Sequence, residues 1–378
     1  MISRSRSILF KPKNIGPITI MNRFMRSATW DGRTDGAGMP LDEHFEMLVY
    51  LARGMVGLIC PGDMEVNLQN IGPRTYAISG PEYIETWKGV IDSIHTRGNK
   101  IMFQLNHKGP ECPTKLFEDQ IELNDTQIQD YIDLYVKAAL CSLDADVDGI
   151  QFHGSHGFFL SSWLSPARNL RKDKWGGSTE NRARILKEII TEVKKKAKKP
   201  FFVSLKLNGS DIDPRGLTPD LSADLVHELK GYVDMFEISC NITQPYHQIA
   251  SEFNINAITR GVPKDKHQDA IANAQKLLRG VHFKQEFNRP FAEIIRKRNP
   301  DAILALVGGN REFDKMEKLV KSGLVDFVSM SRPFLKDPFI VKEMYEGKVS
   351  KSDCLNCGAC LINSDYGVYC RMNKQAIW

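Results

Sequence analysis

Eight short apolar runs, each followed by a stretch of helical periodicity, constrain this chain more than any other feature. They begin at Ile18 (ITIMNRFMRSAT), Val56 (VGLIC), Lys100 (KIMFQLN), Val147 (VDGIQFH), Pro200 (PFFVSLKLN), Val233 (VDMFEIS), Ala302 (AILALVGG) and Val325 (VDFVSMSR). Near-continuous hydrophobicity marks strands buried on both faces of a parallel sheet. Helices are legible between them. Ile128, Ile132, Tyr135, Val136, Ala139, Leu140 and Leu143 share one face behind Asp125 as N-cap. A second helix is expected over about residues 179–198. A third opens near Asp220, with Leu221, Leu225, Val226 and Leu229 inward. Eight such units predict an α/β fold, a single closed (β/α)8 TIM barrel rather than an open doubly wound sheet.

Two stretches break the repeat, a Pro/Gly/Lys-containing loop at 105–125 and a long polar insertion at 241–282 after the sixth run. Both follow strands, so both belong on the barrel face where active sites are built. No compositional break precedes Lys351, which predicts one barrel domain over 1–350 and a short cysteine-bearing tail over 351–378.

Lysine and arginine number 51 against 46 acids, a net charge of +5. The only basic cluster is Lys194, Lys195, Lys196, Lys198 and Lys199, which reads as a solvated helix end and not as a nucleic-acid footprint. No apolar stretch approaches the ~20 residues that span a bilayer, and the basic N-terminus lacks a secretory core. A cytoplasmic location is expected, with the Arg/Ser-rich start leaving an organelle presequence open. Of eight cysteines, Cys60, Cys112, Cys141 and Cys240 are scattered, and four crowd the end. That asymmetry fits a reducing compartment with one local metal site better than a disulfide scaffold.

Several residues could carry chemistry. HGSHG places His153 and His156 at the end of the fourth strand, where both imidazoles can face the barrel mouth as hydrogen-bond donors to an oxyanion or as acid and base. VGGNR (Gly308, Gly309, Asn310) and SMSRPF (Ser331, Arg332) close the last two strands, where such barrels hold a phosphate on backbone N–H groups. Gln104 and Lys206 sit inside apolar strands and must find partners. A buried lysine needs an anion, or it becomes a nucleophile. No GxGxxG follows a strand, so no Rossmann unit is expected. Cys354-x2-Cys357-x2-Cys360-x9-Cys370 has spacing suited to a 4Fe–4S cluster or to zinc.

LFKPKNIGPITIMNRF, FQLNHKG, HGSHGFFLSSWLSPARNLRKDKWGGSTENR, VGGNR and SMSRPF together resemble the old yellow enzyme family of flavin oxidoreductases, over roughly residues 7–372. Within it, the chain looks like the branch containing the barrel domains of 2,4-dienoyl-CoA reductase and trimethylamine dehydrogenase. The resemblance implies noncovalent FMN at the barrel mouth and NAD(P)H as hydride donor. Carried over by position, Ser27, Ala28 and Thr29 would meet the isoalloxazine edge, and Gln104 its pyrimidine carbonyl. Lys206 takes the place, usually arginine, of the cation near N1 and C2=O. Gly309, Asn310, Ser331 and Arg332 would hold the phosphate. His153 and His156 would bind the substrate carbonyl, and Trp30 would narrow the substrate side. The family's usual proton-donating tyrosine is here Phe158. The cysteine tail resembles the cluster motif of the two relatives named, with a shorter last spacing. In those relatives the cluster passes electrons to other groups; this chain ends at Trp378 without an added nucleotide-binding module, so a cluster would need a separate electron-transfer partner protein, be vestigial, or be replaced by zinc or free thiols.

These readings predict an enzyme moving hydride from NAD(P)H to an electron-poor small molecule such as an enone, quinone or nitro compound. A homo-oligomer is compatible with the sequence. The rivals are a Schiff-base aldolase using Lys206 and a non-catalytic metal-binding scaffold.

Overall fold

The computed structural model describes residues 4–72, 74–108, 123–242, 254–278 and 283–373. Strands β1 (Lys13–Ile15) and β2 (Ile18–Ile20) form an antiparallel hairpin, followed by β3 (Phe24–Arg26) and β4 (Leu58–Ile59). Next come the short β5 (Asp63–Glu65) and β6 (Tyr76–Ala77). The remaining strands are β7 (Lys100–Asn106), β8 (Gly149–Gly154), β9 (Phe202–Asn208), β10 (Met235–Ser239), β11 (Leu304–Leu306) and β12 (Phe327–Met330). Strands β3, β4 and β7 to β12 pair in parallel, each with the next, and β12 returns to β3 with Val328 opposite Phe24. The circle is closed: eight parallel strands, the TIM barrel expected. Strand β5 lies beside the upper half of β7, Asp63 opposite Gln104, and extends the wall above the short β4.

The first apolar run divides. Ile18–Ile20 belongs to the hairpin and only Phe24–Arg26 enters the barrel, because Asn22 turns the chain between them. Its amide donates to the Met55 carbonyl (2.8 Å), and its side-chain oxygen accepts from the Phe24 N–H (3.0 Å). The helix Asp125–Asp144 is capped by Asn124, not Asp125, through a reciprocal capping box with Gln127. Asp125 instead accepts from Lys174 and from the Trp175 indole, both at 2.8 Å. The helix Thr179–Lys196 stops two residues short of the expected end. Within the two irregular stretches, 109–122, 243–253 and 279–282 lie outside the described residues. The insertion carries helices Ile255–Thr259 and His267–Leu277; Ala257, Ile258 and Ala274 pack there against Ala359 and Ile362 of the tail. No helix among the described residues is long and apolar enough to cross a membrane.

The strand period of two arranges the barrel interior in layers. The floor is apolar: Ile15 and Ile20 of the hairpin meet Met25, Leu58, Cys60, Met102, Phe202, Met235, Ala305 and Phe327. A Cβ at Gly149 would stand 2.5 Å from the Phe202 ring, so the glycine lets that ring lie across the floor. Two residues further along six of the eight strands the interior turns polar, with Ser27, Gln104, Gln151, Ser204, Glu237 and Ser329, all buried. One step higher stand Lys206, His153 and Ser239. Side chains of opposite parity face outward into the larger core, as Phe103 does against Trp87 (centroids 4.6 Å apart).

Candidate active site

The polar layer is one connected network. Gln104 Nε2 donates to Gln151 Oε1 (2.6 Å), and Gln151 Nε2 reaches Ser204 Oγ and Glu237 Oε2 (both 3.1 Å). Ser329 Oγ donates to Glu237 Oε1 (2.7 Å). Lys206 Nζ donates to Ser27 Oγ (2.7 Å) and lies 3.6 Å from Glu237 Oε2. Lys206 is therefore held in a buried ion pair, as a flavin-facing cation would be, whereas a Schiff-base lysine must be free to attack. Gln151, Ser204, Glu237 and Ser329 were not singled out from the sequence. Glu237 bore the same mark as Lys206, a charge inside an apolar strand.

Above this layer the histidines meet. His153 Nε2 is 3.2 Å from His156 Nδ1, and His156 Nε2 is 2.8 Å from Ser239 Oγ. His153 is buried, while His156 opens to the surface at the mouth. Both rings titrate below the ordinary histidine value: His153 through desolvation, then His156 and Lys206; His156 through desolvation, then Lys206. Neutral rings this close place one donor against one acceptor. An incoming oxygen that takes protons from both requires one ring to change tautomer. The Ser239 hydroxyl, able to donate or accept, keeps its bond to His156 in either case. His156 itself has a left-handed backbone (φ 66°), a conformation uncommon for a residue other than glycine.

Thr29 Oγ1 and Ser331 Oγ are 2.7 Å apart, joining the ends of β3 and β12. Ala28 packs on the floor cluster, and Trp30 donates its indole N–H to the Arg74 carbonyl (2.7 Å). Phe158 stands beside His153, rings 4.7 Å apart. Gly308 and Gly309 have φ of 114° and 82°, a turn that favours glycine. Asn310 Nδ2 ties β11 to β12 through the Leu306 (2.6 Å) and Ser329 (2.9 Å) carbonyls. The Arg332 side chain lies beside the cysteine tail. It is half-buried, lines a cavity with Cys354, Cys357, Cys360 and Cys370, and leaves a buried Nη1 without a hydrogen-bond partner in the structure. Arg311, at the end of VGGNR, donates to the Cys354 carbonyl and to Asn356 Oδ1. The ends of the last two barrel strands thus lean on the cysteine loop.

His107 in FQLNHKG is a structural counterpart to the pair. It is buried against Tyr131 and Phe159 (centroids 5.0 and 5.7 Å), and burial lowers its pKa to about 4. The ring is neutral in the fold but protonates near 6.5 when unfolded, so the unfolded state gains the proton first as pH falls. Stability is expected to drop between about pH 6.5 and 4, on the order of 3 kcal/mol from this group. Denaturant midpoints across that range check it; His107→Gln should flatten the slope.

A match to the model of the NADH:flavin oxidoreductase / NADH oxidase family spans residues 8–219. The chain belongs to that family. It is 25% identical over 384 residues to the 4,4'-dithiodibutanoate disulfide reductase of Rhodococcus erythropolis, covering 96% of this chain and 94% of that one. It is 28% identical over 353 residues to an NADPH dehydrogenase of Bacillus subtilis, covering 88% and 93%. Among solved structures, histamine dehydrogenase from Rhizobium sp. 4-9 superposes with a TM-score of 0.74 at 22% identity, covering 96% of this chain and 51% of that one. That last likeness bears on the fold alone. The protein is thus an NAD(P)H-dependent flavin oxidoreductase, and the aldolase and scaffold readings have no support in the family.

Proposed function

We propose that the barrel mouth binds FMN, takes hydride from NAD(P)H and passes it to a small acceptor whose reduction needs no proton placed on carbon. The carrying observation is Phe158 beside the histidine pair, at the position where the family's tyrosine would donate. Phenylalanine has no exchangeable proton, so acceptors that gain theirs on oxygen, nitrogen or sulfur from water suit the site. A quinone, a nitro compound or a flavin qualifies. So does a disulfide, the group named for the Rhodococcus erythropolis relative.

The donor set fits FMN. Lys206 Nζ and the amides and hydroxyls of Gln104, Ser27, Thr29 and Ser331 suit the carbonyl-rich edge of a flavin. Gln104 keeps a second N–H after bonding Gln151, and Lys206 retains a donor beyond Ser27. Bound there, the flavin would supply two-electron transfer between nicotinamide and acceptor. His153 and His156 would hold the acceptor's oxygen, and Trp30 and Phe158 would keep the remaining walls apolar. Gly309, Asn310, Ser331 and the backbone at Arg332 would receive the phosphate.

The tail cysteines are assigned to a 4Fe–4S cluster ahead of zinc. The support is the Cys354-x2-Cys357-x2-Cys360-x9-Cys370 spacing and the one cavity that all four line. Such a cluster would hand electrons to a partner protein in the cytoplasm.

An anaerobic absorption spectrum before and after NADH or NADPH, with iron and zinc assayed on the same sample, tests all of this. Flavin bands that bleach with nicotinamide are expected, with about four irons per chain. A colourless protein that cannot be reconstituted with FMN overturns the reading.

A further inference from the structure

The buried carboxylate beneath Lys206 has no part in the scheme above, yet its setting is specific. Glu237 is fully buried, on the interior face of β10. Ser329 Oγ donates to one oxygen (2.7 Å) and Gln151 Nε2 to the other (3.1 Å); Lys206 Nζ stands 3.6 Å from the second. Both oxygens accept, and the nearest charge is positive. Lys206 also faces upward, donating to Ser27 at the start of the flavin-contacting segment. Seen from the barrel mouth, the cation is therefore half of a neutral pair.

We infer that Glu237 is a positioning residue for redox poise: it offsets the Lys206 charge and so makes the reduced flavin a stronger hydride donor. The inference rests on the proposal that FMN lies with its pyrimidine edge toward Lys206. Reduction builds negative charge along that edge. An unopposed cation stabilises that charge, whereas a neutral pair stabilises it less. The reduced flavin is correspondingly more willing to give its hydride away, which suits an acceptor that is hard to reduce. The same carboxylate holds the lysine low in the barrel, where Ser27 can orient it.

Sulfite reads this charge without turnover. It adds its electron pair to the flavin N5 position and leaves the negative charge on the N1–C2=O edge, so its affinity follows the field there. In the FMN-loaded protein, Glu237→Gln is expected to tighten sulfite binding about tenfold or more, as removal of one charge at this range predicts. The flavin midpoint potential should rise in the same variant. Glu237→Asp, which keeps the charge, should leave sulfite affinity within about twofold of wild type. Unchanged sulfite affinity and potential in flavin-bound Glu237→Gln would overturn the inference. Should that variant fail to retain flavin, Ser329→Ala carries the test. It removes a donor that partly offsets the carboxylate charge, so it is expected to move both readouts the opposite way and by less, and it sinks the inference if it moves neither. A wild-type protein that binds no flavin overturns the functional reading itself, and this inference with it.

Discussion

Lys206→Met is expected to destabilise the apoprotein by about 3–5 kcal/mol, because it strands the Glu237 carboxylate in the barrel interior. Lysine and glutamate side chains here are 5% and 0% exposed, so water cannot take over the lost partner. The double variant Lys206→Met/Glu237→Gln removes both charges and should recover most of that loss, since two neutral groups no longer require each other. Urea midpoints of the four proteins close the cycle. If the single and double variants fall equally, the ion pair is not what stabilises this layer. Function should separate from stability in the same set. The double variant is expected to fold yet to be reduced by NADH far more slowly than wild type, because no cation is left at the flavin edge.

His153→Ala and His156→Ala are each expected to slow flavin reoxidation by a carbonyl or nitro acceptor by about 10²–10³-fold, the usual cost of one preorganised donor to developing negative charge. Flavin content should be unchanged, since neither ring is assigned to the cofactor. Stopped-flow mixing of prereduced protein with acceptor gives the number directly. Both rings titrate below the ordinary histidine value. The wild-type rate should therefore show no loss of activity as pH rises through about 6.5, the value at which an ordinary histidine would lose its proton. A rate unaffected by either alanine would remove the pair from acceptor binding.

The part of the sequence with the most specific resemblance turns out to build structure. In LSPARNLRKDKWGGSTENR, Ser165 donates to Asp211 (2.6 Å) and Asn169 Nδ2 to the Trp163 and Trp175 carbonyls (both 2.9 Å). Ser178 caps the helix Thr179–Lys196, and Arg182 Nε donates to the Leu164 carbonyl (2.9 Å). A Cβ at Gly176 would stand 2.6 Å from the Arg171 carbonyl. These residues bolt the chain after β8 to the next helix. The histidine pair lies on one side of that corner and Lys206 on the other.

From sequence alone followed the eight-strand barrel, its apolar outer core, and the choice of Gln104, Lys206, His153 and His156 as candidates. Period and polarity are local properties, and a polar residue in an apolar strand announces itself without any knowledge of its neighbours. What Lys206 faces could not be read that way. Glu237 is 31 positions away in the chain, opposite it across adjacent strands, and only the pairing of β9 with β10, Lys206 against Glu237, brings them together. The same holds for Ser239 on His156 and for Arg332 among the cysteines, where the direction of a side chain depends on which loops pack around it. Alternation along each strand supplied the layers; the pairing of strands decided which charges meet between them, and through the distance how strongly each is felt at the mouth.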